Sequence, residues 1–481
     1  MMKQKFQWLP FLKKLAAIAV PVALQNLLSN TGSMVDEVMI ASLGENTVGA
    51  VGLCAQFTML VFGSYWGIIA CGTLFISQYW GAKDEKGLCR SYGFMWALVM
   101  FVGVLFCVIT TVFPREVMEI YTDKKTLQDI GARYLGIIGF TFPLNVYCMA
   151  ASMLLRGTGH VKIPLISSII SVAVNILFNW ILIFGNLGFP AMGVEGAALA
   201  TVIASGVNLL SILILSASVK FPYLFRIRDH FRFTKTFTKQ FLKRAFPLIC
   251  NEVFIAVSGS LISIIFGRQS EAAIAAFAVI SVLEGIYISF FTGFSNASAI
   301  LVGNSIGAGR LEEAWGWAPR LVVLCAAMIA VIDVPILLLG KPLLSLMGLS
   351  GESLTLGWGC LITFSIVMIF RMGNWLMNDT FRSGGDTVFG TVVELSFVYF
   401  LALTALAVFA GIIPVPFMAG VTVPFVALFA IRYCDEPIRF VIMMTHMIRG
   451  KWIHPVTADG QEALPAFRKA HGIPEPRAKG K

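Results

Sequence analysis

Residues 19–26, Ala-Val-Pro-Val-Ala-Leu-Gln-Asn, are answered by residues 245–252, Ala-Phe-Pro-Leu-Ile-Cys-Asn-Glu, so that Pro21 falls on Pro247 at an offset of 226. Two more anchors keep that offset: Gly81-Ala82 of Ser-Gln-Tyr-Trp-Gly-Ala-Lys with Gly307-Ala308 of Gly-Asn-Ser-Ile-Gly-Ala-Gly, and Arg156 of Leu-Leu-Arg-Gly-Thr-Gly-His with Arg382 of Thr-Phe-Arg-Ser-Gly-Gly-Asp. Three anchors at one spacing mark an internal repeat. The segments around them are apolar: of 481 residues 57% are hydrophobic and 13% charged, against about 25% charged in a soluble domain. Mean hydropathy is +0.82. Water could not cover that much apolar surface, so the solvent implied is lipid.

A spanning helix needs about 20 apolar residues. Apolar segments fall near 15–42, 48–79, 93–113, 130–154, 163–184, 192–219, 246–266, 274–303, 320–340, 356–380, 388–411 and 414–434. These define an all-α polytopic membrane protein of twelve transmembrane helices. The stretch after Lys3, Lys5, Lys13 and Lys14 runs past Ala41, which is too long for a signal peptide and suits a retained first helix. The expected organisation is an N-terminus 1–13, a first lobe 14–219, a basic linker 220–244, a second lobe 245–434 and a tail 435–481. The tail is amphipathic to Trp452; its later composition, with Pro455, Pro465, Pro474 and Pro476, suggests disorder after about 455.

Lys and Arg on the two sides of this topology divide twenty-nine to six, with Arg371 left inside the tenth segment. By the positive-inside rule both termini are cytoplasmic, in a cell (inner) membrane. The same placement explains the net charge of +10 without nucleic acid. Six spans per half give the halves one orientation, related by a pseudo-two-fold axis along the membrane normal. Transporters built from such repeats bind substrate where the halves meet. The nine cysteines form no Cys-x-x-Cys pair and the five histidines lie in loops or tail, so neither a zinc site nor a disulfide framework is indicated. No cofactor is expected, nor a membrane-embedded enzyme, for which no catalytic constellation is present.

The order and spacing of these motifs resemble the multidrug and toxic compound extrusion (MATE) family over about residues 10–452. The resemblance rests on Pro21 with Asp36, Gln78-Tyr79-Trp80-Gly81-Ala82, Leu155-Arg156-Gly157-Thr158-Gly159 and Met192-Gly193-Val194-Glu195-Gly196-Ala197-Ala198. In the second half it rests on Pro247, Asn251-Glu252, Val302-Gly303-Asn304-Ser305-Ile306-Gly307-Ala308-Gly309 and Arg382-Ser383-Gly384-Gly385-Asp386-Thr387. It implies a cation-coupled (Na⁺ or H⁺) antiporter, functional as a monomer, exporting amphipathic, cationic small molecules by alternating access. A lipid-linked precursor flippase of the same superfamily is the alternative, set back by Arg371 being the one mid-span arginine. A major-facilitator carrier would need a basic loop after span two that reads here Gly-Ala-Lys-Asp-Glu-Lys-Gly. The Gly-Ala and Arg-x-x-Gly motifs read as loop builders, the first ending helices with a permissive residue.

Ionisable residues inside spans are costly and therefore mark function. Asp36 sits in span one among Asn26, Ser29, Asn30, Thr31 and Ser33, fifteen residues after the helix-bending Pro21. The resemblance makes it the cation-sensing carboxylate, with Asn175 and Asn179 of span five and Thr201 of span six as partners. Where the family carries a second acid, this chain has the amide Asn179. A Na⁺ ion at Asp36, Asn175, Asn179 and Thr201 would find oxygen ligands, and a protonatable Asp36 alone would also serve. In the second half Glu252 and Glu284 are candidates for proton or substrate binding, and Arg371 could neutralise either. Asp333, Asp379 and Glu394 lie nearer span ends and read as interfacial.

Overall fold

Lipid offers the backbone no hydrogen bonds, so apolar spans satisfy their own as helices. The computed structural model describes residues 8–413 and 423–474, and among them every regular element is helical; the one β-type contact is an isolated bridge between Gly385 and Ile453. Among the described residues ten helices are long and apolar enough to cross a membrane, and a pair bent by 46°, Lys125–Ile138 with Thr141–Gly157, makes eleven when counted as one span. The expected twelfth segment, 414–434, opens on residues outside the described set and continues as the helix Phe425–Ile431. The chain separates into two units: residues up to Ile76 with Asp84–Ile249, and Ser77–Lys83 with the residues from Cys250 onward. Two of the three divisions fall inside long helices, Glu45–Gly81 and Lys235–Phe266, and the third in the turn before Glu85.

The first unit holds α1 (Trp8–Ala41), most of α2 (Glu45–Gly81), α3 (Glu85–Val112), α4 (Pro114–Tyr121), α5 (Lys125–Ile138), α6 (Thr141–Gly157), α7 (Lys162–Phe184), α8 (Val194–Ser218), α9 (Ile227–His230) and the start of α10 (Lys235–Phe266). Asp84 caps α3 by accepting from the Gly87 N–H at 2.9 Å, and Pro114 at the first position of α4 supplies the turn after α3. Gly185, at φ +73°, ends α7 in the left-handed conformation, and the chain folds back so that Met192 N–H donates to Leu182 O at 2.8 Å. Gly196 then lets α8 lie directly on α7; a Cβ there would stand 2.6 Å from Leu182 O. On the other side Gly32 of α1 sits under Val172 of α7. Small residues thus bring α1 and α8 to the α7 face that carries Asn175 and Asn179.

The second unit holds the rest of α10, then α11 (Glu271–Gly307), α12 (Leu311–Leu338), α13 (Gly340–Leu346) and α14 (Gly351–Gly384). It continues through α15 (Phe389–Phe397), a π-helical stretch Val398–Leu403, α16 (Thr404–Phe409), α17 (Phe425–Ile431), α18 (Glu436–Ile448) and α19 (Ala458–Ala470). Ser350 and Ser353 form a capping box at the start of α14, and Gly385 at φ +97° ends it. The end of α2 packs here against the end of α11. A Cβ on Gly81 would lie 2.0 Å from Asn304 O, and one on Gly307 1.9 Å from Gln78 O. Residues 78 and 304, like 81 and 307, are 226 apart, so the contact is reciprocal. These glycines are needed for close approach; the left-handed backbone falls two residues later, at Lys83 (φ 56°) and Gly309 (φ 72°).

The expected disorder after residue 455 does not hold for the described part of the tail, which is ordered to Pro474. Trp452 is fully buried, its indole against Gly384 and its N–H donating to Met447 O at 3.0 Å. His454 N–H donates to Gly384 O at 2.7 Å, Val456 N–H to Gln78 Oε1 at 2.8 Å, and Thr457 Oγ1 to Gly307 O at 2.8 Å. Thr457 then caps α19, which buries Phe467. Burying one tryptophan removes about 150–250 Å² from water, at most about 4–6 kcal/mol at 25 cal/mol/Å². Proline content misleads here because Pro455 lies before the helix, and the tail's partners are in helix ends far away in sequence.

Candidate functional site

Asp36, half-buried on α1, meets α7 and α8 at one point. The Asn179 side-chain amide donates to its carboxylate. The Asn175 amide satisfies its surroundings when its nitrogen faces the same carboxylate, 2.6 Å from Oδ1 and 3.2 Å from Oδ2. Thr201 Oγ1 stands 3.5 Å from the Asn175 amide and donates to Ala197 O at 3.0 Å. The four residues expected at the coupling site are therefore together, supplied by three helices. Asn179 Oδ1 is buried and has no hydrogen-bond partner among the described residues. One carboxylate, two amides and a hydroxyl form an oxygen-bearing set of the kind hard cations take, with a free amide oxygen already present. The two amides also solvate Asp36 when it is ionised, so the cluster can serve a proton without a metal. Pro21 lies inside α1, and one turn after it Gln25 receives Arg156 Nη2 at 2.6 Å and donates to Ser168 at 2.9 Å.

That last triad recurs in the second unit with charges. Residues 226 further on are Asn251, Arg382 and Glu394. Asn251 donates to Glu394 at 3.1 Å, and Arg382 pairs with Glu252, the neighbour of Asn251, at 3.4 Å. Arg156 and Arg382 are both buried, so the Arg-x-x-Gly motif does more than build a turn: it bolts the end of its helix to the proline-bearing first helix of its half. Arg382 also reaches Asp379 at 3.6 Å, which accepts from Ser295 at 2.7 Å. Glu394 accepts from Asn378 at 2.8 Å and pairs with Arg439 at 3.1 Å. Asp379 and Glu394 thus belong to this network, and Asp333 is 5% exposed.

Arg371 settles on Glu284, at 2.5 Å, and not on Glu252. Glu284 also faces Arg432 at 3.5 Å, and Tyr433 links them, receiving from Arg371 at 3.0 Å. Arg439 further pairs with Asp435 at 3.0 Å and Glu436 at 3.6 Å. Arg371, Glu394, Arg432, Tyr433, Asp435, Glu436 and Arg439 line a cavity of about 180 Å³, with Ile255, Trp375, Ala402 and Leu406 on its apolar side. Arg371 is therefore not alone: Arg382, Arg432 and Arg439 join it among the acids. By sequence Arg432 falls at the end of the twelfth segment and Arg439 in the tail; the dense charge of Asp435-Glu436 and Arg439 beside an apolar run was the available signal. Outside the spans, Asp386 accepts from His446 at 2.9 Å and from the Phe389 N–H at 3.0 Å. Burial pushes its carboxyl up, but the His446 and Phe389 hydrogen bonds and the nearby histidines outweigh it and hold the group below the usual range.

A family model described as MatE matches residues 21–181 and again residues 247–409, well over half of the chain, and each match begins on an anchor proline. The chain belongs to the MATE family. It is a multispan membrane transporter of that multidrug-efflux family and not an enzyme. Among its relatives are the probable multidrug resistance protein YoeA of Bacillus subtilis, 24% identical over 80% of this chain and 83% of its own, and the probable multidrug resistance protein NorM of Thermotoga maritima, 23% identical over 92% and 93%. The solved Vibrio cholerae MATE transporter VcmN in the bent form shares the fold at a TM-score of 0.80 and 16% identity, over 95% of this chain and 98% of that one. Within this MATE protein the two halves carry one scaffold with different chemistry. The first presents a single acid among amides, the second a network in which acids and arginines neutralise each other.

Proposed function

We propose that this MATE protein exports amphipathic, cationic small molecules across the inner membrane in exchange for entering Na⁺ or H⁺, with Asp36 as the coupling carboxylate. The observation that carries the reading is the convergence of Asp36, Asn175, Asn179 and Thr201 from three helices, with a buried amide oxygen still free. A coupled carrier must bind its ion differently in its two states. One acid held by rotatable amides supplies that difference: as donors the amides stabilise the bare carboxylate, and turned over they present oxygens to a cation. In this reading both termini are cytoplasmic, a single copy suffices, and the two lobes rock to alternate access.

The second-unit acids play a different part. Glu252 and Glu284 each have an arginine in contact, so a cationic substrate gains little there unless it displaces a guanidinium. We assign Glu252, Glu284 and Arg371 to holding that lobe together beside its cavity. A second reading, a flippase for lipid-linked precursors, draws on the arginines lining the cavity. The carboxylates paired with them argue for the first. Ethidium efflux from vesicles under an imposed Na⁺ or pH gradient tests the choice: gradient-driven efflux supports the antiporter, and efflux indifferent to both gradients refutes it.

A further inference from the structure

Most acids buried or half-buried among the helices of the second unit are paired with arginines. Glu252, Glu284, Asp379, Glu394, Asp435 and Glu436 each have an arginine nitrogen within 3.6 Å. Asp333 does not. It lies on α12, in a span of 28 residues, 5% exposed, and its carboxylate accepts from the Tyr287 hydroxyl of α11. Tyr287 is itself buried, its ring edge-on to Phe364 and stacked near Phe291. Ser365 of α14 also faces this carboxyl, and its buried Oγ has no hydrogen-bond partner among the described residues.

Charged residues on each element packed against α12 have other partners. Glu284 of α11 and Arg371 of α14 hold each other, as do Asp379 and Arg382 of α14; Lys341 of α13 lies over the Trp358 ring; Glu436 and Arg439 of α18 pair; Glu312, at the other end of α12, meets His471 after α19. A buried ionised carboxylate whose one hydrogen bond comes from a neutral phenol, with no countercharge, is expensive. Its protonated form costs far less. We infer that Asp333 is a second proton-exchanging carboxylate of the transporter, loaded and unloaded opposite Tyr287.

The hydrogen bond survives both forms. Ionised, Asp333 accepts the Tyr287 O–H. Protonated by a water-borne proton, its own O–H donates to Tyr287 Oη, and the phenol proton turns away. Tyr287 lies one helical turn beyond Glu284 on α11, so the reversal occurs beside the Glu284–Arg371 pair. A change of load at Asp333 therefore reaches the cavity wall through one turn of helix. This inference rests on the antiport reading and extends it from one exchanging acid to two.

Two measurements on the full chain decide it. Reconstituted vesicles are given a pH gradient of one unit with the membrane potential clamped at zero, and the sustained ethidium accumulation ratio is read. Each coupled proton contributes a factor of ten per pH unit. Asp333→Asn should lower the ratio about tenfold with efflux still gradient-driven, and Asp333→Glu should restore it. Asp333→Asn at the wild-type ratio overturns the inference and leaves a structural hydrogen bond only. Absence of accumulation in the wild type under this gradient overturns the inference, and absence under an imposed Na⁺ gradient as well would refute the antiport reading itself. The second measurement is independent of coupling: the infrared difference spectrum of wild-type protein between acid and alkaline pH. A protonated-carboxyl band that is missing in Asp333→Asn and shifted in Asp333→Glu supports the assignment. If Asp333→Asn does not fold, the band and its Glu shift decide alone. A wild-type spectrum in which no band moves on Asp333→Glu overturns the assignment.

Discussion

Glu284→Gln isolates what the second-lobe network contributes. The carboxylate faces Arg371 at 2.5 Å and Arg432 at 3.5 Å, with its side chain 10% exposed. The amide keeps the volume but leaves two buried guanidinium groups without their anion. Breaking a buried pair by removing one partner costs about 3–5 kcal/mol. Glu252→Gln is the internal control. Arg382 loses one acid at 3.4 Å but keeps Asp379 at 3.6 Å, so the loss is that of one hydrogen bond to a charged group, about 1.5–3 kcal/mol. Melting of the purified variants in one detergent should therefore rank wild type above Glu252→Gln and Glu252→Gln above Glu284→Gln. Arg371→Met combined with Glu284→Gln should recover only part of the loss, because Arg432 stays unpaired. A Glu284→Gln protein melting with the wild type, or above Glu252→Gln, would show that the arginines do not depend on this acid.

Other outcomes follow from single contacts. Trp452→Ala should cost about 3–5 kcal/mol, as for other large core truncations, and appear as a lowered melting temperature; an unchanged value would mean that the tail adds nothing to the fold. Gly307→Ala should sharply reduce the yield of folded protein on a size-exclusion column, since its Cβ would stand 1.9 Å from a backbone oxygen that cannot swing aside; Gly159→Ala, with open space around it, carries only backbone strain and should cost less. Asp386, whose carboxyl is held below its usual range, stabilises the fold above the unfolded value of about 3.9 and loses that contribution as pH falls through its folded value. Asp386→Asn should lower the melting temperature at pH 7 and flatten its fall below about pH 4; identical pH profiles would remove the carboxylate from the stability account.

The spans and the repeat were legible because both are written locally, as apolar runs and as motifs at one spacing. The Asp36 cluster was legible for a related reason. Asn175 and Asn179 are one turn apart on α7, and a family resemblance placed Thr201 and Asp36 with them. What escaped depends on contacts between distant residues. Gln78 bonds Ser383 O at 2.8 Å and receives the Val456 N–H, partners more than 300 positions away, and no local pattern announces them. The same holds for Arg439, which reads as a basic flank by position and becomes the buried partner of Glu394 only when α18 packs beside α14 and α15. Asp333 was assigned to a span end by counting residues; the packing of Tyr287 and Ser365 around it was not visible in that count.

The central claim is that Asp36 couples an entering cation to export. Asp36→Asn leaves Asn175, Asn179 and Thr201 in place and removes the first-lobe cluster's one negative charge. The measurement is ethidium efflux from vesicles holding wild-type or Asp36→Asn protein, under an imposed Na⁺ gradient and separately under an imposed pH gradient, with ethidium binding to the purified proteins measured alongside. The account predicts that the variant binds ethidium as the wild type does and exports none of it under either gradient. Wild-type rates of export by Asp36→Asn under both gradients would contradict it.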